Sequence, residues 1–279
     1  MSNNDPLAAL AALPGVTESV ESVRKAVDRA YGHRVMRRRS SEVTAEAALR
    51  GARASAACEG ADWPLEEVRR RSDFSVGADG GHGEAELVGA ALRLSAEAGH
   101  LLEVWRRAPL QALARLHLLA ASGTLDADRV GRPRRDGEEP VSPPPARLLT
   151  PPPAEEVAGR LDGLARLLLA GTEAPALVVA AVVHGEVLAL RPFGSMDGLV
   201  ARAAQRVTLV SAGLDPKAIC PAEVGLAELG AEAYAGALQA YASGTPDGVA
   251  SWIAHCAEAL LLGVRETTAV CEALQRGAA

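Results

Sequence analysis

The segment Arg191-Pro-Phe-Gly-Ser-Met-Asp-Gly198 is a tight loop that hands the chain to a helical pattern running from Val200 to Ala212. A loop that turns into a helix through small residues presents unpaired backbone N–H groups and the positive end of the helix dipole, which is the chemistry of a phosphate or other anion site. Arg191, Ser195, Asp197, Gly198 and Arg202 are therefore the ligand or anion-binding candidates. Two guanidinium groups, a hydroxyl and a backbone amide would assist binding, while the Asp197 carboxylate would repel a phosphate. Arg191 is no general base, because a guanidinium stays protonated at any workable pH. His117, His184 and His255 sit on apolar helical stretches and read as core histidines, and no His/Cys/Asp cluster has metal spacing.

The loop is similar to the Fic (Fido) signature HPFxDGNGRxxR, with Pro192, Phe193, Gly198 and Arg202 matching and Asp197 in place of asparagine. Flanking features fall in the family's order: Leu116-His117 to Gly123, then Pro151-Pro-Pro-Ala-Glu-Glu-Val157, then His184 before the signature. Upstream, Ser55-Ala-Ala-Cys-Glu59-Gly60 fits the family's inhibitory motif (S/T)xxxE(G/N), with Ser55, Glu59 and Gly60 at its defined positions. The resemblance implies an all-α, Fic-like helical bundle with a short irregular flap and additional N-terminal helices. It divides the chain into an N-terminal helical segment, 1–53, and a Fic-like domain, 54–279. It also implies that Glu59 pairs with Arg202.

The family's activity is transfer of AMP from ATP and magnesium to a protein hydroxyl, and no catalytic residue of that reaction is intact here. Arg191 stands at the general-base position, Ser195 replaces the magnesium-binding acid, Met196 replaces a glycine of the phosphate cradle, and Leu199 replaces the first arginine. Four losses in separate roles read as abandonment of transfer. ATP with magnesium is accordingly a disfavoured cofactor and no metal site is expected. The plain account of the substitutions is structural: Asp197 caps the following helix, and Arg191 is its salt-bridge partner or anchors nearby carbonyls. The sharper account is that Arg191 and Arg202, assisted by Ser195 and the Gly198 amide, bind an anion other than ATP phosphate.

Positioning this loop falls to helices. Apolar periodicity and glycine or proline punctuation predict helices over Val16–Tyr31, Ser41–Cys58, Pro64–Arg71, Glu84–Arg107, Pro109–Ala121, Glu155–Ala170, Pro175–Leu190, Val200–Ala212, Ala222–Leu229, Glu232–Ala242 and Val249 to about Glu272. The helices Glu155–Ala170 and Pro175–Leu190 both read as buried. Phe74 to Gly83 reads as glycine-rich loop, and Asp126 to Pro153 as irregular, since Pro140, Pro143, Pro144 and Pro145 remove the donors a paired edge needs.

Aromatic residues are only 3% of the 279, so the core must be built from small aliphatic side chains on closely packed helices. A net charge of -6 disfavours nucleic acid as a partner, and the basic run Arg34 to Arg39 reads as a solvated helix end. Cys58, Cys220, Cys256 and Cys271 form no C-x-x-C pair and suit a reducing compartment, and no membrane span or leader pattern is seen. A cytoplasmic, bacterial protein is the expectation. Its predicted role is a regulatory or binding pseudoenzyme that takes a protein partner or small anionic ligand, with a homodimer allowed by the resemblance. An enzyme of altered chemistry acting on a nucleotide or phosphate ligand at the same loop is the alternative. A helical regulator touching DNA through residues 34–39 ranks third.

Overall fold

The computed structural model describes residues 5–74 and 83–277, so most of the predicted loop between Phe74 and Gly83 lies outside the described residues. The described residues form thirteen α-helices and no strand: α1 (Pro6–Leu10), α2 (Val16–Gly32), α3 (Met36–Cys58), α4 (Leu65–Arg70), α5 (Glu84–Glu97), α6 (Leu102–Arg107), α7 (Pro109–Ala121), α8 (Ala154–Ala170), α9 (Ala176–Leu190), α10 (Asp197–Ser211), α11 (Ala222–Leu229), α12 (Ala231–Ala242) and α13 (Pro246–Arg276). The all-α class expected from the sequence is what the chain adopts.

Helix α9 is the centre. From Leu177 to Leu190 every residue but Glu186 is buried, and α10 packs along it. Helix α10 is also buried at every position from Asp197 to Leu209, although it carries Arg202, Gln205, Arg206 and Thr208. Those polar groups are met by the surrounding helices. The Arg206 guanidinium grips Glu223 of α11 through Nε at 3.0 Å and Nη2 at 2.8 Å, and Thr208 donates to the Ala204 carbonyl at 2.7 Å.

Small residues let the helices approach closely, as the alanine-rich composition requires. A Cβ on Gly225 would come within 2.0 Å of the Ala259 carbonyl oxygen, and one on Gly263 within 2.5 Å of the Pro221 carbonyl oxygen, so α11 and α13 touch backbone to backbone. Helix α13 begins with Thr245 Oγ1 accepting from the Gly248 amide at 3.1 Å. It ends at Gly277 in the left-handed region, φ 76°. Four aromatic or imidazole rings, His184, Tyr234, Trp252 and His255, pack together across α9, α12 and α13, and the Trp252 indole donates to the Ala181 carbonyl at 2.7 Å.

Several boundaries differ from the sequence reading. The stretch Glu84–Arg107 is two helices, because the chain turns at Ala98–Leu101 around Gly99 before α6 begins. Helix α3 starts at Met36, taking in the basic run, with a kink at Arg39 (φ -124°, ψ 27°). There Arg39 bonds Glu42 and the Leu274 carbonyl, and Arg34 bonds Gln275, while Arg37 and Arg38 are exposed. Helix α8 is not buried all round. Only Val157, Leu161, Leu164 and Ala165 face inward, since charged Glu155, Glu156, Arg160, Asp162 and Arg166 fall on its other faces. Helix α1, for which the sequence held no expectation, is nucleated by Asp5, whose Oδ1 accepts from the Leu7 and Ala8 amides at 3.1 and 3.0 Å.

The candidate active-site loop

Arg191 ends α9 in the left-handed region, φ 47°, with its N–H still donating to the Val187 carbonyl. This turn throws its side chain toward the flap, residues 133–150. The whole residue is buried, and its guanidinium donates from Nη1 to Ser142 Oγ at 2.6 Å and from Nη2 to the Leu149 carbonyl at 2.9 Å. Burial draws the group down from its ordinary value, the neighbouring Asp197 charge opposes that, and Arg134 adds to it. The anchoring of carbonyls expected of Arg191 is therefore real, whereas the expected salt bridge is absent: Arg191 and Asp197 form no ion pair.

The flap holds the loop by backbone as well. Arg134 N–H donates to the Pro192 carbonyl at 2.7 Å, Val141 N–H to the Gly194 carbonyl at 2.8 Å, and Arg134 Nε to the Arg191 carbonyl at 3.1 Å. Arg134 also reaches the Pro152 carbonyl through Nη2. Its prolines leave the flap no continuous edge, yet these amides are spent inward on the loop. Beneath it, the Phe193 ring stacks on His117 with centroids 4.4 Å apart and planes at 8°. His117 Nδ1 accepts from the Gly131 amide at 2.9 Å, and burial pulls the imidazole down to about 4, so it is neutral at ordinary pH. His184 is likewise interior, its Nε2 lying 2.6 Å from the Tyr234 hydroxyl.

Removing the Arg191 anchor has a local consequence that can be measured. The buried cation has no carboxylate partner, so relief of its desolvation offsets the two lost hydrogen bonds, and Arg191→Ala is expected to change global stability by only about 1 kcal/mol. Amide exchange at Arg134 and Val141 should nevertheless rise, because the flap loses both side-chain anchors. Unchanged exchange at those two amides would show that the flap is held without Arg191.

Met196 occupies the N-cap position of α10 in the left-handed region, φ 56°, where the Fic signature has glycine. Asp197 is the first helical residue, not the cap, which corrects the expectation. Its Oδ1 reaches backward to accept from the Phe193 amide at 3.0 Å, closing the loop on itself, while Oδ2 has no hydrogen-bond partner. Burial pushes this carboxyl up to about 8 against the lowering effect of the Phe193 amide and the Arg191 charge. Ser195 is buried and its hydroxyl is also without a partner.

Across the first turn of α10 lies Glu59, at the end of α3. A Cβ placed on Gly198 would meet Glu59 Oε1 at 2.1 Å and Pro143 Cβ at 3.2 Å, so the Glu59 carboxylate lies closely against the first turn of α10. Glu59 Oε1 also lies 2.6 Å from Arg202 Nη2, whose guanidinium further donates from Nε to Ser55 Oγ at 2.9 Å and from Nη2 to the Ser55 carbonyl at 2.9 Å. Arg202 is almost wholly buried. Burial is the largest single influence and opposes its charge, but the Glu59 carboxylate together with Tyr234 and Cys58 outweighs it and raises the group above its ordinary value.

The sequence candidates thus split into two groups. Arg191 faces the flap and Arg202 faces α3, so the two guanidinium groups do not converge on one anion; Arg191 Nη1 and Nη2 and Arg202 Nε and Nη2 are bonded to partners from this chain, while Arg191 Nε and Arg202 Nη1 have no hydrogen-bond partner. Gly60, after the α3 end, takes the left-handed conformation (φ 102°) that turns the chain away. A magnesium nucleotide does not fit this arrangement: Glu59 and Pro143 crowd Gly198, and Ser195 offers no charge to a metal. Among the described residues no group of three or more His, Cys, Asp or Glu is placed to hold a metal ion. Sequence reasoning missed Ser142, Pro143, Arg134 and the Arg206–Glu223 pair. Only their distance in space, not any spacing, ties them to the loop.

The sequence matches no protein-family model and no curated protein. Its structure, however, is similar to several solved ones. A Fic family protein from Desulfovibrio desulfuricans G20 superposes with a TM-score of 0.65 at 20% identity, over 90% of this chain and 74% of that one. A Fic domain containing signaling protein from Bacteroides thetaiotaomicron VPI-5482 gives 0.64 at 12% identity, over 91% of this chain and 98% of that one. Fic-1 from C. elegans gives 0.63 at 14% identity, over 92% of this chain and 72% of the fragment solved. On these superpositions this chain has the fold of the Fic proteins.

Proposed function

We propose that this protein is a Fic-fold pseudoenzyme that has abandoned AMP transfer and acts as a binding or regulatory module. The observation that carries this reading is the state of the loop: a buried arginine tied to the flap stands where a base would be, and Glu59 is packed against Gly198 in the first turn of α10. A protein with an intact transferase site needs a base, a metal ligand and room for a phosphate, and each of these places holds something else. In this reading the Glu59–Arg202 pair restrains nothing and serves as an interior clamp. The partner is another protein or a small anionic ligand.

Labelled ATP with magnesium tests this directly. Neither the native chain nor Glu59→Ala is expected to transfer AMP to itself or to lysate proteins. Transfer by either one that Arg202→Ala abolishes would overturn the reading.

A second reading, ligand chemistry rewritten at the same end of the molecule, is favoured by one observation. A cleft of about 610 Å³ opens beside Glu59, with Arg53, Arg147, Glu228 and Tyr234 among its lining residues. Calorimetric titration with ATP, with and without magnesium, separates the two. Absence of heat at millimolar ATP supports the first, and binding that requires Arg202 supports the second.

A further inference from the structure

On another side of the molecule, a cleft of about 680 Å³ is walled by Leu7 and Leu10 of α1, Leu164 and Leu167 of α8, and Val182 and Ala189 of α9. This is within the size range of small-molecule sites, roughly 300–1,000 Å³, and the mixture of apolar walls with a few placed polar groups is their usual chemistry. Besides Thr150, the polar side chains in the wall are Glu186, Arg160 and Tyr241, which bond one another. Glu186 Oε1 accepts from Arg160 Nε at 2.9 Å and pairs with Nη2 at 2.6 Å, and Glu186 Oε2 accepts from the Tyr241 hydroxyl at 3.2 Å. All three side chains line the cleft.

We infer that this cleft binds a neutral, largely apolar small molecule carrying a hydroxyl or amide group, which meets the Glu186–Arg160–Tyr241 cluster at one end. Three observations point to that class. The charges of Glu186 and Arg160 cancel at hydrogen-bonding distance, so an ionic ligand would find no uncompensated counter-charge. One wall is fastened in place: Asp5, which caps α1, also accepts from Thr172 Oγ1 at 2.8 Å and from the Glu173 amide at 2.8 Å, fixing the helix that puts Leu7 and Leu10 in the apolar lining. Helix α8 gives up a side chain at Gly163, where a Cβ would meet nothing within 4 Å, and so leaves the space clear.

The walls come from separate stretches that curve around the space: α1, residues 149–152, α8, α9, and the turn between α12 and α13. That concave arrangement of walls suits a small molecule better than a helix from a partner, which docks along a continuous apolar stripe. The same stretch 149–152 supplies the Leu149 and Pro152 carbonyls that hold Arg191 and Arg134, so an occupant would press on the anchor of the flap. The inference does not depend on whether the 191–202 loop binds a nucleotide.

The test uses N-phenyl-1-naphthylamine, a neutral apolar fluorophore, titrated into the full chain. Saturable one-to-one binding is expected, weakened at least about tenfold by Gly163→Leu, which fills the cleft. Gly159→Leu is the matched control: it lies one turn earlier on α8, also meets open space, does not line the cleft, and should bind as the native chain does. The anionic congener 8-anilinonaphthalene-1-sulfonate should bind at least about tenfold more weakly than the neutral probe. Non-saturating fluorescence, equal weakening by both leucine variants, or equal affinity for the anion would overturn the assignment. So would sedimentation showing a dimer that Gly163→Leu dissociates, since the cleft would then be covered by a second copy.

Discussion

Glu59→Ala is expected to destabilise the fold by about 3–5 kcal/mol and lower its melting temperature by roughly 6–15 °C, because it strands a buried cation. The Arg202 side chain has no exposure and that of Glu59 only 9%, so the lost carboxylate is replaced at best by water entering from the adjoining cleft, which does not neutralise the charge. The hydrogen bonds from Arg202 to Ser55 remain but do not neutralise the charge. Replacing both partners, Glu59→Met with Arg202→Met, should recover most of the loss, since two apolar side chains need no compensation in the interior. Thermal unfolding of the single and double variants, as a double-mutant cycle, measures the coupling. Additive losses would mean that the two groups are not energetically joined, and that the clamp between α3 and α10 lies elsewhere.

The second large effect is a pH dependence carried by Asp197. Its carboxyl rises from an ordinary 3.8 to about 8 in the folded chain, chiefly through burial. The folded state therefore holds a proton that the unfolded chain releases above about pH 4, and by linkage stability falls as pH rises from there toward 8. The contribution is fully present below the unfolded value and is lost through the folded one. Asp197→Asn keeps the oxygen that accepts from the Phe193 amide and has nothing to titrate. The variant should match the native chain below about pH 4, draw ahead of it as pH rises, and exceed it by about 1–3 kcal/mol near pH 9, the cost of a buried unpaired charge after relaxation. Denaturant unfolding across that range checks it. Parallel stability curves would show that Asp197 is ionised throughout and that its free oxygen is solvated.

These two experiments separate what an inhibitory glutamate does in an enzyme from what it does here. On the proposed pseudoenzyme reading, removal of Glu59 should cost stability and yield no activity. That combination follows from the clamp alone.

Much of the architecture could be read from the chain. Helix ends fell where glycine and proline stand, and the ordered motifs around Glu59, His117, His184 and Arg202 pointed to one fold. Identity as low as 12–20% suffices for this because a helical bundle is specified by periodicity and small-residue placement more than by particular side chains. The departures from the Fic signature at Arg191, Ser195, Met196 and Leu199 were equally plain in the sequence, since each is a change of residue type.

What the sequence could not determine was direction. Whether Arg191 turned toward Asp197, toward an anion or toward the flap depended on its left-handed φ of 47° and on Ser142 and Leu149, more than forty residues upstream. The backward reach of Asp197 and the one-sided burial of α8 had the same character. Residue types and local spacing fix helices, turns and the chemistry on offer. Only the packed chain fixes which partner each buried polar group finds, because that choice is made among neighbours far apart in sequence, under the cost of leaving a group unpaired.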